Sequence, residues 1–132
     1  KNESVEVIDI EIESEPKRKL GSNLLLFFTN VTRIASTILE EQKRSILDKI
    51  KFHHKIKDLA FDTIECLKEL DNNRIGENLK VNWEMKKQLA SNVSNPEIDL
   101  MHKLAMEGGA LGAKISGAGG GGLTEEINEE IP

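Results

Sequence analysis

Five of the ten glycines in this chain fall between Gly117 and Gly122, with only Ala118 among them. A backbone without Cβ atoms takes positive φ freely and lets another group approach its N–H row. Successive N–H groups turned to one side form an anion-binding concavity. Lys114, three residues ahead of the run, adds a full positive charge. Lys114, Ser116, Gly117, Ala118, Gly119, Gly120 and Gly121 are therefore candidate residues of a phosphate loop. The flanking residues Leu111, Ala113, Ile115 and Leu123 are apolar, unlike the Ser-rich flanks of a flexible linker. The plain alternative is a tight structural turn. The run is not a Walker A loop, because no Gly-x-x-x-x-Gly-Lys-Ser/Thr is present. Gly117, Gly119 and Gly122 have dinucleotide-loop spacing, but no helical pattern of the required length follows.

Thr29, Asn30 and Arg33 form a second candidate group, for substrate binding. They follow an apolar run and open a helical pattern, where free backbone N–H groups favour anions. An arginine there grips a phosphate with two parallel donors. The plain alternative is a surface arginine beside capping residues. Other positions carry weaker signals. His53 and His54 point about 100° apart on a helix and lack a spaced carboxylate–histidine set, so a solvated pair is expected. His102 lies off its helix's apolar stripe and is expected to be exposed. Trp83 reads as a core or interface anchor. Glu40-Glu41, Glu125-Glu126 and Glu129-Glu130 read as solvated faces. No metal-ligand set is evident.

The elements that must position these residues follow from periodicity. Residues 5–12 alternate, with Ile8, Ile10 and Ile12 on one face, which predicts a strand. Val5 and Val7 fall on the opposite parity, the mark of a bulge or register change. Residues 16–21 read as a basic turn. Leu24 to Phe28 is a continuous apolar run, expected to be a strand covered on both faces. Ala35, Leu39, Ile46 and Ile50 then share a helical face with Ile38 beside it. Ile56, Leu59, Ala60, Ile64 and Leu67 form a second stripe, with any break near His53 and His54. Asp71-Asn72-Asn73 caps a third helix carrying Ile75, Leu79 and Trp83. Asn95 and Pro96 suit the cap and first turn of a fourth, which carries Ile98, Met101, Leu104 and Ala105 and ends at Gly108-Gly109. A short apolar segment, residues 110–115, leads into the glycine run. Segregated strands and helices predict an α+β fold, an antiparallel sheet with a layer of about four helices.

The chain has 132 residues, 38% apolar and 31% charged, with a mean hydropathy of -0.39, enough for one domain with a core. No apolar run is long enough to cross a bilayer, so no membrane role is expected. The net charge of -5 argues against general nucleic-acid binding but leaves room for a small anionic ligand. The single cysteine, Cys66, excludes an internal disulfide and sits in an apolar helical pattern. It reads as a structural thiol in a reducing, cytoplasmic compartment. Because residue 1 is Lys, the chain is expected to be an internal piece of a longer one.

Gly109 to Gly122, GALGAKISGAGGGG, closely resembles the third signature of the GHMP kinases, the group of galactokinase, homoserine kinase and mevalonate kinase. Residues 94–108 resemble the helix that the family places ahead of the signature, and residues 24–42 and 82–89 resemble segments of one branch, the D-glycero-D-manno-heptose phosphate kinases. The resemblance implies a C-terminal domain over residues 1–122, with an acidic tail, 123–132, that departs from the family pattern. It implies phosphoryl transfer from ATP, with Mg²⁺, to a hydroxyl of a phosphorylated sugar in carbohydrate metabolism. It places the glycine run beside the nucleotide phosphates and Thr29, Asn30 and Arg33 near the acceptor. The family's main ATP loop, its catalytic Asp and its Mg²⁺ ligands have no counterpart here. The chain by itself is therefore expected to be inactive, with no catalytic residue of its own. The tail's two glutamates per apolar residue suit a buried strand poorly, so it is expected to be altered or at the surface. The resulting open edge predicts marginal stability or homo-oligomerisation. The alternatives are a non-catalytic anion- or partner-binding α+β domain, or a purely structural module.

Overall fold

The computed structural model describes residues 7–30, 35–121 and 123–127. Its elements run α1 (Ser14–Ser22), β1 (Leu24–Phe28), α2 (Ala35–Arg44), α3 (Ile50–Glu69), α4 (Asn72–Lys87), α5 (Pro96–Glu107), β2 (Gly112–Ile115) and β3 (Leu123–Ile127). The strands form an antiparallel sheet in the order β1-β3-β2. This is the expected α+β arrangement, with five helices among the described residues.

Two helix starts follow their caps. The Asp71 carboxylate accepts the Arg74 N–H at 3.0 Å, and Asn95 Oδ1 accepts the Ile98 N–H at 2.9 Å, ahead of Pro96. Leu70, at φ 56°, takes the left-handed conformation that turns α3 tightly into α4. The core gathers in two clusters. One joins Ile38, Trp83, Ala90, Val93, Ile98 and Ile115, and the other joins Leu20, Cys66, Ile75 and Ile127.

Several sequence expectations are corrected. Residues 7–12 form no strand, and Ile8 is 76% exposed; alternation without a neighbour to bond leaves a segment irregular. Residues 1–6 lie outside the described residues. The expected basic turn at 16–21 is helix α1, which buries Leu20. The break between the second and third helices falls at 45–49 rather than at His53-His54. Of the face assigned to that second helix, Ile38 is buried while Leu39, Ile46 and Ile50 are exposed, because Ile38 alone points into the cluster around Trp83. The β1 strand is present but uncovered, as all five residues are exposed. Leu123–Ile127, expected to be lost from the sheet, is its central strand, bonded to both neighbours, with Ile127 fully buried. Backbone pairing on two sides outweighs its unfavourable composition. Residues 128–132 lie outside the described residues.

Candidate functional site

The sheet register brings the candidate groups to one end. Phe28 pairs with Leu123 and Ile115 pairs with Thr124. The exits of β1 and β2 therefore flank the entry of β3. Two strand spacings separate those exits, roughly 10 Å. Thr29 and Asn30 leave β1 there, and Ser116 to Gly121 leave β2 there. Thr29 is buried, while Asn30 is exposed at φ 55°. Lys114, half-buried, stands opposite Glu125 in the β2–β3 pairing. Arg33 lies outside the described residues.

The glycine loop is seated by close packing. An added Cβ at Gly112 would lie 2.0 Å from the Gly76 carbonyl oxygen, so β2 crosses α4 backbone to backbone. That crossing fixes where the loop starts. Gly117, Gly119 and Gly120 have φ of 69°, 97° and 74°, values that only glycine adopts easily. At Gly119 a Cβ would also meet the Val93 carbonyl oxygen at 2.8 Å. Gly120 N–H donates to that same carbonyl at 2.6 Å, and Asn95 Nδ2 reaches the Gly120 carbonyl at 3.4 Å. The turn ahead of α5 thus grips the far half of the loop. Gly119 and Gly120 are buried against it, and Gly117 is exposed.

Lys86, in the last turn of α4, holds the near half. Its ammonium donates to the Ile115 carbonyl at 2.8 Å and to the Gly117 carbonyl. Nothing in the residues around Lys86 points to a loop 31 residues on.

Glu41, expected on a solvated face, is tied into the fold instead. Its carboxylate accepts Ser91 N–H at 2.7 Å and Ser91 Oγ–H at 2.9 Å, instead of facing only water. The Ser91 backbone N–H, foremost, holds its pKa below the usual carboxylate value. This pair ties α2, which follows Thr29 and Asn30, to the turn that grips Gly120.

His102, expected to be exposed, is half-buried and packs on Trp83 with ring centroids 6.2 Å apart. Burial first, then the charge of Lys87, lowers its pKa. His53 is half-buried too, its Nε2 enclosed, while His54 is exposed. Cys66 is buried, and burial raises its pKa, as expected of an inert thiol. Among the described residues no cluster of three or more His, Cys, Asp or Glu could hold a metal ion. The Mg²⁺ implied by the family resemblance finds no ligand set there. No described helix is long and apolar enough to cross a membrane.

The sequence and the fold both have parallels among known proteins. Residues 63–123 match the family model for the C-terminal domain of GHMP kinases. The chain is 35% identical over 124 residues to the D-glycero-alpha-D-manno-heptose 7-phosphate kinase of Campylobacter jejuni, across 92% of this chain and 37% of that protein. Its fold is similar to Leishmania major mevalonate kinase in complex with R-mevalonate, with a TM-score of 0.68 and 22% identity over 79% of this chain and 32% of that one. A second mevalonate kinase structure gives a TM-score of 0.62 and 25% identity over 91% of this chain and 37% of that one. The chain thus spans about a third of the length of these relatives. Its signature loop, α+β fold and sequence identity agree: residues 63–123 match the C-terminal domain of the GHMP kinases, and the chain around them is similar to an enzyme of that kind.

Proposed function

We propose that this chain is the C-terminal part of an ATP-dependent kinase that phosphorylates a hydroxyl of a sugar phosphate resembling heptose 7-phosphate. One observation carries the reading: the clamped glycine loop and the Thr29-Asn30 corner open at the same end of the sheet. Phosphoryl transfer demands mainly positioning and neutralisation of charge. A loop whose peptide dipoles are already fixed supplies both without reorganising. In this proposal residues 114 and 116–121 lie beside the nucleotide phosphates. Thr29, Asn30 and Arg33 face the acceptor phosphate. Mg²⁺ bound with ATP would neutralise phosphate charge, its ligands lying elsewhere in the longer enzyme. The lone buried Cys66 fits a reducing, cytoplasmic setting.

The test is a screen of phosphorylated sugars for ATP-dependent phosphorylation by the full-length protein. Transfer to a heptose phosphate supports the proposal. ATP binding without transfer to any sugar favours the non-catalytic anion-binding alternative. The 132-residue chain alone is expected to show no turnover, and turnover by it would refute the assignment of catalysis to the missing part.

A further inference from the structure

The loop is not a uniform row of outward amides, and two of its peptide planes can be assigned from their hydrogen bonds. No peptide among the described residues is cis. In a trans peptide the carbonyl and the following N–H point in opposite directions. The Gly117 carbonyl is drawn inward by Lys86, so the Ala118 N–H is turned outward. The Ala118 side chain packs on the core cluster around Trp83 and Ile115, which holds that plane from its other end. Among the described residues no backbone acceptor takes the Ala118 N–H. Gly120 is the reverse case, since its own N–H faces inward to Val93.

Lys86 is placed for this task by its helix. It lies three residues after Trp83, on the same face of α4. Trp83 is buried against the cluster that contains Ile115. An ammonium has three donors and can hold two carbonyls at once. Both carbonyls carry partial negative charge at the foot of a loop that would receive an anion, and the ammonium offsets it. Without Lys86, the Gly117 end of the peptide loses its anchor, and the wide ψ range of glycine lets the plane tilt about the end that Ala118 holds. The Ala118 N–H would then lose its outward direction.

We propose that Lys86 is a positioning residue that sets the Gly117–Ala118 peptide, so that the Ala118 N–H, in contrast to the Gly120 N–H, is a donor from the loop to an anionic ligand. This rests on the loop being a nucleotide-phosphate site. The experiment uses the full-length protein with ATP and its acceptor, comparing Lys86→Met, which keeps the apolar stem, with Lys86→Arg, which keeps the charge. Lys86→Met is expected to raise the KM for ATP about tenfold while the acceptor KM stays within about twofold. Lys86→Arg is expected to return it to within about threefold of wild type. Unchanged ATP KM in a folded Lys86→Met protein, or an equal rise for both substrates, overturns the inference alone. Should Lys86→Met fail to fold, the wild-type protein decides through ¹⁵N amide shifts during ATP titration. A larger shift at Ala118 than at Gly120 supports the assignment, and the opposite order overturns it. Wild type that binds no ATP overturns the kinase reading, and this inference with it.

Discussion

Strand β1 and the β2–glycine-loop segment sit in the same sheet and obey opposite rules. Strand β1 is Leu24-Leu-Leu-Phe-Phe28, as apolar as a strand can be, yet every residue is exposed, Leu26 at 63%. Among the described residues it is an edge strand, bonded only to β3, and its Leu24, Leu25 and Leu26 line an open groove of about 470 Å³ with Gly21, Ile75 and Leu79. Strand β2 is short and carries a glycine and a lysine, yet Gly112, Ala113 and Ile115 are buried. Burial here depends on what lies opposite rather than on hydrophobicity. Gly112 is buried because its lack of a side chain lets α4 touch the backbone. The clamp at Lys86, Val93 and Asn95 then builds the loop on that contact.

Substitutions can break this contrast. The largest effect is expected for Gly112→Ala. Its Cβ would meet the Gly76 carbonyl oxygen, a backbone atom that cannot swing away. A loss of about 3 kcal/mol is expected, measured by urea or thermal unfolding. A loss below about 1 kcal/mol would mean that the crossing is loose. Gly119→Ala is expected to cost about 2 kcal/mol, from its positive φ and the approach of Val93. It should weaken ATP binding as well, whereas a purely structural loop would lose stability alone. Next comes Asn95→Ala, at about 1 kcal/mol, from loss of the α5 cap. On β1, Leu26→Ser is expected to change the stability of this chain by less than about 0.5 kcal/mol. A large loss there would show that the strand is covered in solution.

Acid should weaken the packed region in two steps. His102 has a lowered pKa in the fold, so the unfolded chain binds its proton more readily. Stability then falls as pH drops below about 6.5, the ordinary histidine value, and levels off below the folded value. Glu41 also has a lowered pKa. Its contribution is complete above about 4.3, its value when unfolded, and is lost as pH falls through the lower folded value. Thermal melts across this range should show both steps. His102→Phe is expected to flatten the first, and Glu41→Gln to reduce the second, which Asp62 shares because the hydrogen bond from Asn78 lowers its pKa too. If His102→Phe leaves the first step unchanged, the ring is not what senses it.

Much of the molecule was legible in residue order alone. The caps at Asp71 and Asn95, the helices they open, the glycine loop and the α+β class are set by chemistry within a few residues of each position. Side-chain oxygens cap neighbouring amides, and glycine alone takes positive φ at little cost. Long-range matters were hidden. The alternation at Ile8, Ile10 and Ile12 looked like a half-buried strand, but a ladder needs a partner that local sequence cannot supply. The glutamate-rich segment 123–127 looked unfit for a sheet, yet it bonds on both edges. Glu41 looked like a solvated charge and Lys86 drew no notice until folding placed backbone groups within their reach. Residues near in sequence decide which conformations are cheap. Which of those conformations finds its neighbour is decided only when distant segments meet.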